Sequence, residues 1–298
     1  MTAKLSKFEV KHGSNQHVSK YIFSSSEAIA EAVLYEYGGF YKRTVICCST
    51  QSGCPVGCAF CGTGKHFKCN LSAEDIVWQV MSVIDDIGVD ASKIEKFQIM
   101  FMSMGEPFLN YQNVARAIHA LNCIYPNAQL LVSTIAPKPK DFEEAYLEFE
   151  VLSSRIPTVG LQFSIHRSTD AERDKLIPFK SKKTLAEIAQ YGRHWFNYTG
   201  RRPYCNYCVD GSNCTEGDAE RLMKLFPPEI FCFTFSVVCS SDETMKDAGY
   251  RNLIEIRKFE QLFLARGYNT RIFDPAGQDD IGGGCGQLWV TQEWFKKH

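Results

Sequence analysis

The chain runs from Thr44-Val45-Ile46-Cys47-Cys48 into a loop that contains Cys54-Pro55-Val56-Gly57-Cys58-Ala59-Phe60-Cys61. The first segment is apolar and β-branched, which predicts a buried strand. The second carries three cysteines at spacings of four and three, and its Pro55 and Gly57 suit a loop folded around a compact object. A buried strand that leads directly into such a loop makes the three cysteines candidate ligands of a metal centre.

The three cysteines narrow the kind of centre. A thiolate is a soft ligand that suits iron–sulfur clusters, zinc and copper(I). Three ligands are one short of the four that a closed zinc site or an ordinary four-cysteine cluster takes, which points to a cluster with one iron left free for a substrate or cofactor. Zinc with a distant fourth ligand and three unrelated thiols both remain open as alternatives.

Strands and helices alternate downstream of the loop. Ser72 predicts an N-cap, and apolar residues from Ile76 to Ile87 give the helix after it one buried face. Such alternation predicts parallel strands with helical crossovers, and its repetition favours a full or partial (β/α) barrel over an open sheet. Further strands are expected at 97–102, 129–133, 158–164, 202–209, 231–238 and 269–273. Further helices are expected at 111–123, 141–152, 184–195, 218–226 and 252–266.

The chain before Thr44 has a different pattern. Phe8-Glu9-Val10 and Tyr21-Ile22-Phe23 predict short strands, whereas residues 25–37 fit either a strand or a short helix. We therefore expect a short β-rich N-terminal extension over residues 1–43 and a barrel over residues 44–298.

Functional side chains of a (β/α) barrel gather at the C-terminal ends of its strands. The candidates here are the cysteine loop, Gly105-Glu106-Pro107, Ser133, Ser164-Ile165-His166 and Ser236, each at or near the end of an expected strand. Glu106 fits a contact to a ligand's amino group and equally a turn carboxylate that caps the next helix. His166 fits a structural and a ligand-binding residue equally. Their convergence on one face predicts an active site there.

Three further cysteines stand out. Cys285 lies in Gly282-Gly283-Gly284-Cys285-Gly286, where the glycines remove steric limits on the backbone and place the thiol on a mobile arm. A core cysteine does not need that freedom, so we interpret Cys285 as a reactive thiol. Cys47 and Cys48 are consecutive on a strand and face opposite sides, so one of them points into the barrel.

Composition bounds the class of protein. The chain has 298 residues, of which 45% are hydrophobic and 22% charged, so it can build a sizeable core and is not disordered. No apolar run approaches the roughly 20 residues that span a bilayer, and the N-terminus lacks an apolar signal segment, so we expect a cytoplasmic protein. In the reducing cytoplasm, the thirteen cysteines of the chain are expected to be metal ligands, nucleophiles or core residues rather than partners in disulfide bonds. The net charge of −1 shows no overall basic character.

The C-x3-C-x2-C spacing, with an aromatic residue before the last cysteine, resembles the radical S-adenosylmethionine superfamily. The wider sequence resembles the RlmN/Cfr methyltransferases, which methylate adenine in ribosomal RNA and, for RlmN, also in transfer RNA. The resemblance covers the chain from about residue 20 to its C-terminus, with the motifs in family order. These motifs are residues 47–64, 70–77, 104–110, 164–166 and 279–288.

The resemblance implies a partial (β/α)6-type barrel and a set of site residues. Cys54, Cys58 and Cys61 would hold a [4Fe–4S] cluster whose fourth iron binds S-adenosylmethionine. Cys285 would be the cysteine that is methylated, Cys47 the resolving cysteine that forms a transient disulfide with it, and Glu31 the general base. The residues that would contact S-adenosylmethionine are Gly105, Glu106, Ser133, Ser164, Ile165, His166 and Ser236.

The implied chemistry explains why two thiols are needed. Carbon 2 and carbon 8 of adenine are electron-poor and cannot attack a methyl sulfonium. In the family scheme Cys285 takes a methyl group from one cofactor molecule, and a 5′-deoxyadenosyl radical from a second removes hydrogen from it. The carbon radical adds to the base, the general base removes the ring proton, and Cys47 attacks Cys285 to release the product. We favour carbon 2 over carbon 8.

Three features depart from the family pattern. About 40 residues precede the core, so we expect the family's N-terminal helical domain to be absent. Ser236 stands where an asparagine is usual, and Cys214 stands where an aspartate is usual.

The expected partners are a ribosomal or transfer RNA and an electron donor such as flavodoxin or ferredoxin, for a monomer that binds no membrane. The alternatives are the same radical chemistry on a non-RNA substrate, and a non-catalytic iron–sulfur or zinc RNA-binding module.

Overall fold

The computed structural model describes residues 5–14, 16–64, 66–138, 140, 142–238, 252–273, 281–282 and 286–297. Strands and α-helices alternate from residue 73 onward, apart from two consecutive helices between residues 170 and 199. The strands are β1 (Lys7–His12), β2 (Val18–Ser24), β3 (Ile29–Glu36), β4 (Arg43–Cys48), β5 (Gln51–Gly53), β6 (Phe67–Asn70), β7 (Lys96–Phe101), β8 (Gln129–Thr134), β9 (Val159–Ser164), β10 (Tyr204–Val209), β11 (Cys232–Val237) and β12 (Thr270–Phe273). The α-helices are α1 (Ala73–Ile87), α2 (Tyr111–Ile124), α3 (Phe142–Arg155), α4 (Asp170–Leu176), α5 (Leu185–Thr199), α6 (Glu216–Leu225), α7 (Leu253–Leu264) and α8 (Trp289–Lys297).

A ten-stranded sheet is the centre of the fold, in the order β1-β2-β3-β4-β7-β8-β9-β10-β11-β12. From β4 to β12 neighbouring strands are parallel, and helices cross over between them. The strands β1 to β4 pair with one another in antiparallel fashion and extend the same sheet. This architecture confirms the predicted partial (β/α) barrel with a β-rich N-terminal extension, while the boundary at residue 43 stays a prediction.

The parallel strands have two buried faces. One alternate set of side chains, such as Ile46, Cys48 and Phe101, packs in the main core together with the apolar faces of the helices. The other set, which includes Val45, Cys47 and Met100, forms a smaller cluster on the inner, concave face. Strands buried on both faces read as continuous apolar runs, as Thr44 to Cys48 does. The prediction that Cys47 and Cys48 face opposite sides is confirmed.

Local sequence fixes the helix ends as expected. The Ser72 hydroxyl accepts a hydrogen bond from the Asp75 backbone N–H at 3.1 Å, and Gly88 ends α1 with a positive φ of 64°. Thr184 and Glu187 form a capping box at the start of α5. No helix in the described part of the chain is long and apolar enough to span a membrane.

Candidate active site

The cysteine loop connects β5 to β6, and these two short strands pair with each other and hold its ends together. The backbone N–H of Cys61 donates to the carbonyl of Cys58 at 3.1 Å, and the N–H of Ala59 donates to the carbonyl of Leu176 at 2.8 Å. Cys54, Cys58 and Cys61 line one cavity of about 120 Å³, which we call the cysteine-loop cavity. The loop therefore presents its three predicted ligands to one space at the carboxyl ends of the strands.

The three thiols are close enough to influence one another. Burial raises the pKa of Cys54, and the neighbouring Cys61 raises it further. Burial also raises the pKa of Cys58 well above its ordinary value, with added contributions from Cys61 and Cys54. A soft, electron-accepting metal centre would stabilise their thiolate forms. The chemistry of this donor set fits three ligands to an iron–sulfur cluster.

A single metal ion fits these residues less well. No three or more His, Cys, Asp or Glu side chains within the described ranges are grouped so that they could hold one metal ion. A structural zinc site needs four ligands at about 2.0 to 2.3 Å from one ion. The cysteine loop supplies three thiols, one fewer than a structural zinc site requires. The described cysteines form no disulfide bond.

Glu106 lies in the same cavity, but its carboxylate is held by the chain itself. Its Oε1 accepts hydrogen bonds from the Thr134 hydroxyl at 2.6 Å and the Phe108 N–H at 3.0 Å, and its Oε2 accepts from the Ile135 N–H at 2.9 Å. Burial raises its pKa to about 7, against the lowering effect of those hydrogen bonds. Of the two interpretations left open, the contacts match the capping carboxylate, and Gly105 beside it adopts a φ of +99°.

The other predicted cofactor contacts divide into two groups. Ser133, Ser164 and His166 line the cysteine-loop cavity together with Gly105 and Glu106. Ile165 is fully buried in the main core and lines neither cavity described here. Ser236 lies on the inner face of β11, where its hydroxyl donates to Asn206 Oδ1 at 2.6 Å in a second cavity.

His166 is buried and uncharged. Its Nδ1 accepts a hydrogen bond from the Cys208 N–H at 3.2 Å, and burial lowers its pKa to about 3, with Arg173 and Arg167 adding to the effect. Its backbone has a φ of +56°, which few non-glycine residues adopt, and its ring contacts the edge of Phe60 in the cysteine loop. His166 therefore acts here as a neutral hydrogen-bonding residue that packs against the loop.

The second cavity, which we call the central cavity, has a volume of about 280 Å³ and lies inside the barrel. Cys47 faces it from β4, and burial raises the pKa of this thiol, with Cys48 as a further contribution. The two cavities have four lining residues in common, so they meet inside the barrel. These residues are Met102, Ser103, Asn206 and Gly286.

Cys285 lies outside the described residues, but the residue that follows it in the sequence is described. The Gly286 carbonyl accepts a hydrogen bond from the Gly62 N–H at 2.7 Å, one residue beyond Cys61. Gly286 has a φ of +82°, and a Cβ atom there would lie 2.9 Å from the Phe60 carbonyl oxygen. This close approach requires a glycine and attaches the end of the glycine-rich segment to the cysteine loop.

Glu31 is fully buried, and its partners come from both ends of the chain. Its Oε2 pairs with Lys20 Nζ at 2.9 Å, and both side chains are inaccessible to solvent. Its Oε1 accepts from the N–H and the hydroxyl of Thr291, each at 2.7 Å. The sequence singled out Glu31 but gave no signal for Lys20 or Thr291, which stand 11 and 260 residues away.

Sequence reasoning missed one further residue. Arg173 in α4 is fully buried and donates to the carbonyls of Ile135 at 2.7 Å, Lys183 at 2.9 Å and Ser164 at 3.2 Å. Burial lowers its pKa to about 10, and its charge lowers the pKa values of Cys58 and Glu106. Arg173 thus joins two strand ends beneath the cysteine-loop cavity.

Over 283 residues the chain is 31% identical to a curated Heliobacterium modesticaldum protein named "Probable dual-specificity RNA methyltransferase RlmN", covering 90% of this chain and 69% of the relative. Over 274 residues it is 30% identical to the ribosomal RNA large subunit methyltransferase N of Nitrosopumilus maritimus, covering 89% and 74%. The chain belongs to the RlmN family of RNA methyltransferases. The expected family is therefore confirmed, although no protein-family model matches the chain.

Solved structures agree with the RlmN assignment. A radical SAM methyltransferase from Sphaerobacter thermophilus superposes with a TM-score of 0.79 at 28% identity, covering 96% of this chain and 81% of that one. SuiB of Streptococcus suis, solved with S-adenosylmethionine, matches with a TM-score of 0.52 at 12% identity, covering 78% and 48%. The second similarity concerns the fold alone.

Proposed function

We propose that this RlmN-family chain methylates an sp2 carbon of adenine in ribosomal or transfer RNA, carbon 2 in preference to carbon 8. One observation carries the proposal: the three thiols of the cysteine loop and the Cys47 thiol line two cavities that meet inside the barrel. When bound, a [4Fe–4S] cluster and S-adenosylmethionine would supply the methyl group and the radical chemistry.

The chain's own residues have distinct tasks in this proposal. Cys54, Cys58 and Cys61 hold the cluster, while Gly105, Ser133 and other residues of the cysteine-loop cavity contact the cofactor. Cys285 carries the methyl carbon to the base, and Cys47 attacks Cys285 to release the product. The position of Gly286 against the cysteine loop supports this, because the segment that bears Cys285 ends there.

Glu31 is the proposed general base, and its present contacts show which hydrogen bonds it must give up to accept a proton. Its carboxylate is bound by Lys20 and Thr291. To accept a ring proton it has to exchange one of these contacts for the substrate. Ser236 and its partner Asn206 line the central cavity, where they offer hydrogen bonds to a bound base.

The experiment is anaerobic reconstitution of iron and sulfide, followed by incubation with S-adenosylmethionine, a flavodoxin-type reductant and total RNA. Nucleoside mass spectrometry should detect a methyladenosine that a Cys285→Ala variant does not form. A Cys47→Ala variant should accumulate RNA covalently bound to protein. Cys123→Ala changes an exposed cysteine of α2 and should behave as the wild type.

Three results would contradict the proposal or one of its parts. Normal turnover by Cys47→Ala would refute the two-thiol assignment. Cofactor cleavage with a methylated protein or small molecule, and unmodified RNA, would support the alternative substrate class instead. Absence of iron and of cofactor cleavage would support a non-catalytic binding module.

The proposal also includes a cytoplasmic location, which cell fractionation checks, and a monomeric state, which light scattering checks.

A further inference from the structure

Three cations surround the other end of the central cavity. Arg43 and Lys96 are the first residues of the neighbouring strands β4 and β7 and are paired in register. Arg271 of β12 faces the same space from across the barrel. This end lies at the amino-terminal ends of the strands, opposite the cysteine loop. The cavity therefore runs from a basic rim to the Cys47 thiol.

Arg43 and Arg271 donate hydrogen bonds to neutral side chains in the described part of the chain. Arg43 Nε donates to Gln98 Oε1 at 3.1 Å, and Arg271 Nε donates to the Thr234 hydroxyl at 2.7 Å. None of the three forms a salt bridge among the described residues. Burial lowers the pKa of Lys96, and the charges of Arg43 and Arg271 lower it further. Cations held together without a carboxylate favour an anionic ligand.

Aromatic rings lie beside two of these cations. The Arg43 guanidinium lies 4.5 Å from the centre of the Tyr37 ring, and the Arg271 guanidinium lies 4.4 Å from that of Tyr204. Tyr35 and Phe273 form an edge-to-face pair at 6.0 Å. Positive charges for phosphates, combined with aromatic faces for bases, are the composition of a site for single-stranded nucleic acid.

The dimensions suit one nucleotide. Arg43 and Cys47 are four residues apart on one extended strand, which places their Cα atoms about 13 Å apart. A phosphate at the rim and a base directed inward would together cover that span. An enzyme that modifies a base must take it out of its stack into such a pocket.

We propose that RNA enters at the amino-terminal ends of the parallel strands, where Arg43, Lys96 and Arg271 bind backbone phosphates and one unstacked adenine passes inward to Cys47. This inference rests on the proposed function and adds the route and the residues that bind the substrate. The cysteine-loop cavity at the opposite end remains for the cofactor.

The test compares two triple variants. Arg43→Gln/Lys96→Gln/Arg271→Gln removes the rim charges. Arg257→Gln/Lys258→Gln/Arg266→Gln removes the same number of charges from exposed positions on and just after α7. The probe is a fluorescein-labelled single-stranded RNA with one adenosine among pyrimidines, followed by anisotropy over a range of salt concentrations.

The rim variant should weaken binding by about tenfold or more. Its log–log salt slope should be smaller by about 2, because each phosphate contact on a single strand contributes about 0.7. The α7 variant should bind within about twofold of the wild type. An Arg271→Lys variant keeps the charge and should retain most of the affinity. Iron content should be unchanged in the rim variant, which shows that it folds.

The outcomes separate this inference from the proposed function. If the wild type methylates RNA and the rim variant binds the probe with the same affinity and salt slope, the entry route is refuted and the activity stands. If the α7 variant loses as much affinity as the rim variant, the effect is one of net charge and the route is again refuted. If the wild type neither binds nor methylates RNA, both proposals fail.

Discussion

The Glu31 carboxylate binds the N–H and hydroxyl of Thr291, a residue 260 positions away in the chain. Thr291 lies in the first turn of α8, where backbone N–H groups lack helical partners and negative charge is favoured. On the other side, Glu31 pairs with Lys20 of β2. A single buried carboxylate therefore joins the N-terminal strands to the C-terminal helix.

Removing one charge of the Lys20–Glu31 ion pair should lower the free energy of unfolding. Glu31→Gln leaves the Lys20 ammonium buried without a counter-charge, so we expect a loss of about 3–5 kcal/mol in the free energy of unfolding. The double variant Lys20→Met/Glu31→Leu removes both charges and should be more stable than Glu31→Gln alone. Urea denaturation measures both. A double variant less stable than the single one would contradict the assignment of an ion pair.

Thr291→Val should loosen α8 while leaving the Glu31 carboxylate intact. The variant loses one hydrogen bond to a charged group, which is worth about 1.5–3 kcal/mol. Hydrogen exchange of the α8 amides should accelerate, while exchange in α5 stays unchanged. Thr199→Val, whose hydroxyl donates to the Trp195 carbonyl in α5, is the matched control and should not affect α8. Equal exchange in α8 for both variants would disprove the link.

Gly105 requires both its backbone conformation and its missing side chain. A Cβ atom there would lie 2.7 Å from Thr50 Oγ1 and from Gln51 Cβ, at a φ of +99°. Gly88 also has a positive φ, but a Cβ there would meet nothing within 4 Å. Gly88→Ala should cost about 1 kcal/mol of folding free energy, and Gly105→Ala about 1–3 kcal/mol more. Similar thermal midpoints for the two variants would contradict the steric argument.

The raised pKa of Glu106 predicts a dependence of stability on pH. Its folded-state pKa of about 7 lies above the ordinary 4.5, so the protonated form is favoured on folding. That contribution is complete below pH 4.5 and is lost as the pH rises through 7. Relative to Glu106→Gln, the wild type should lose about 2.5 kcal/mol between pH 5 and pH 8. Parallel pH curves in urea denaturation would refute the shift.

Arg173 should be more important to stability than its surface-like sequence context suggests. Arg173→Met leaves one buried and two partly buried carbonyls without their donor, at about 1 kcal/mol or more each. Arg193→Met is the control, because Arg193 donates to one carbonyl, that of Leu225, at 2.9 Å. We expect the first variant to lose about three times as much unfolding free energy as the second. Equal losses would show that the carbonyl contacts contribute little.

The regular part of the fold was predictable because its signals are local. Thr44 to Cys48 has the β-branched composition of a buried strand. Ser72, interpreted from the sequence as an N-cap, caps α1 in the structure. Residues 25–37 remained ambiguous for a physical reason. β3 within them is buried on both faces, so its side chains do not alternate between apolar and polar as those of a half-exposed strand do.

The parts that escaped prediction depend on distant contacts. Lys20 reads as an ordinary strand residue until β3 places Glu31 beside it. Arg173 occurs in Asp170-Ala171-Glu172-Arg173-Asp174, which has the composition of an exposed helix, yet its guanidinium is buried under the ends of β8 and β9. The helices α4 and α8 and the pair β5–β6 are short and were not predicted, because tertiary packing rather than local propensity holds such segments.

The two cavities share Met102, Ser103, Asn206 and Gly286. The central cavity extends from there to Arg43 and Lys96 at the amino-terminal ends of their strands, whereas the cysteine-loop cavity lies at the carboxyl ends. On the proposed assignments, the cofactor binds in and leaves from the cysteine-loop cavity, while the RNA occupies the central cavity. In a reaction that consumes two cofactor molecules per turnover, the second molecule can then enter the cysteine-loop cavity while the RNA stays bound in the central cavity. The order in which the two kinds of molecule arrive is therefore not imposed by the architecture of the barrel.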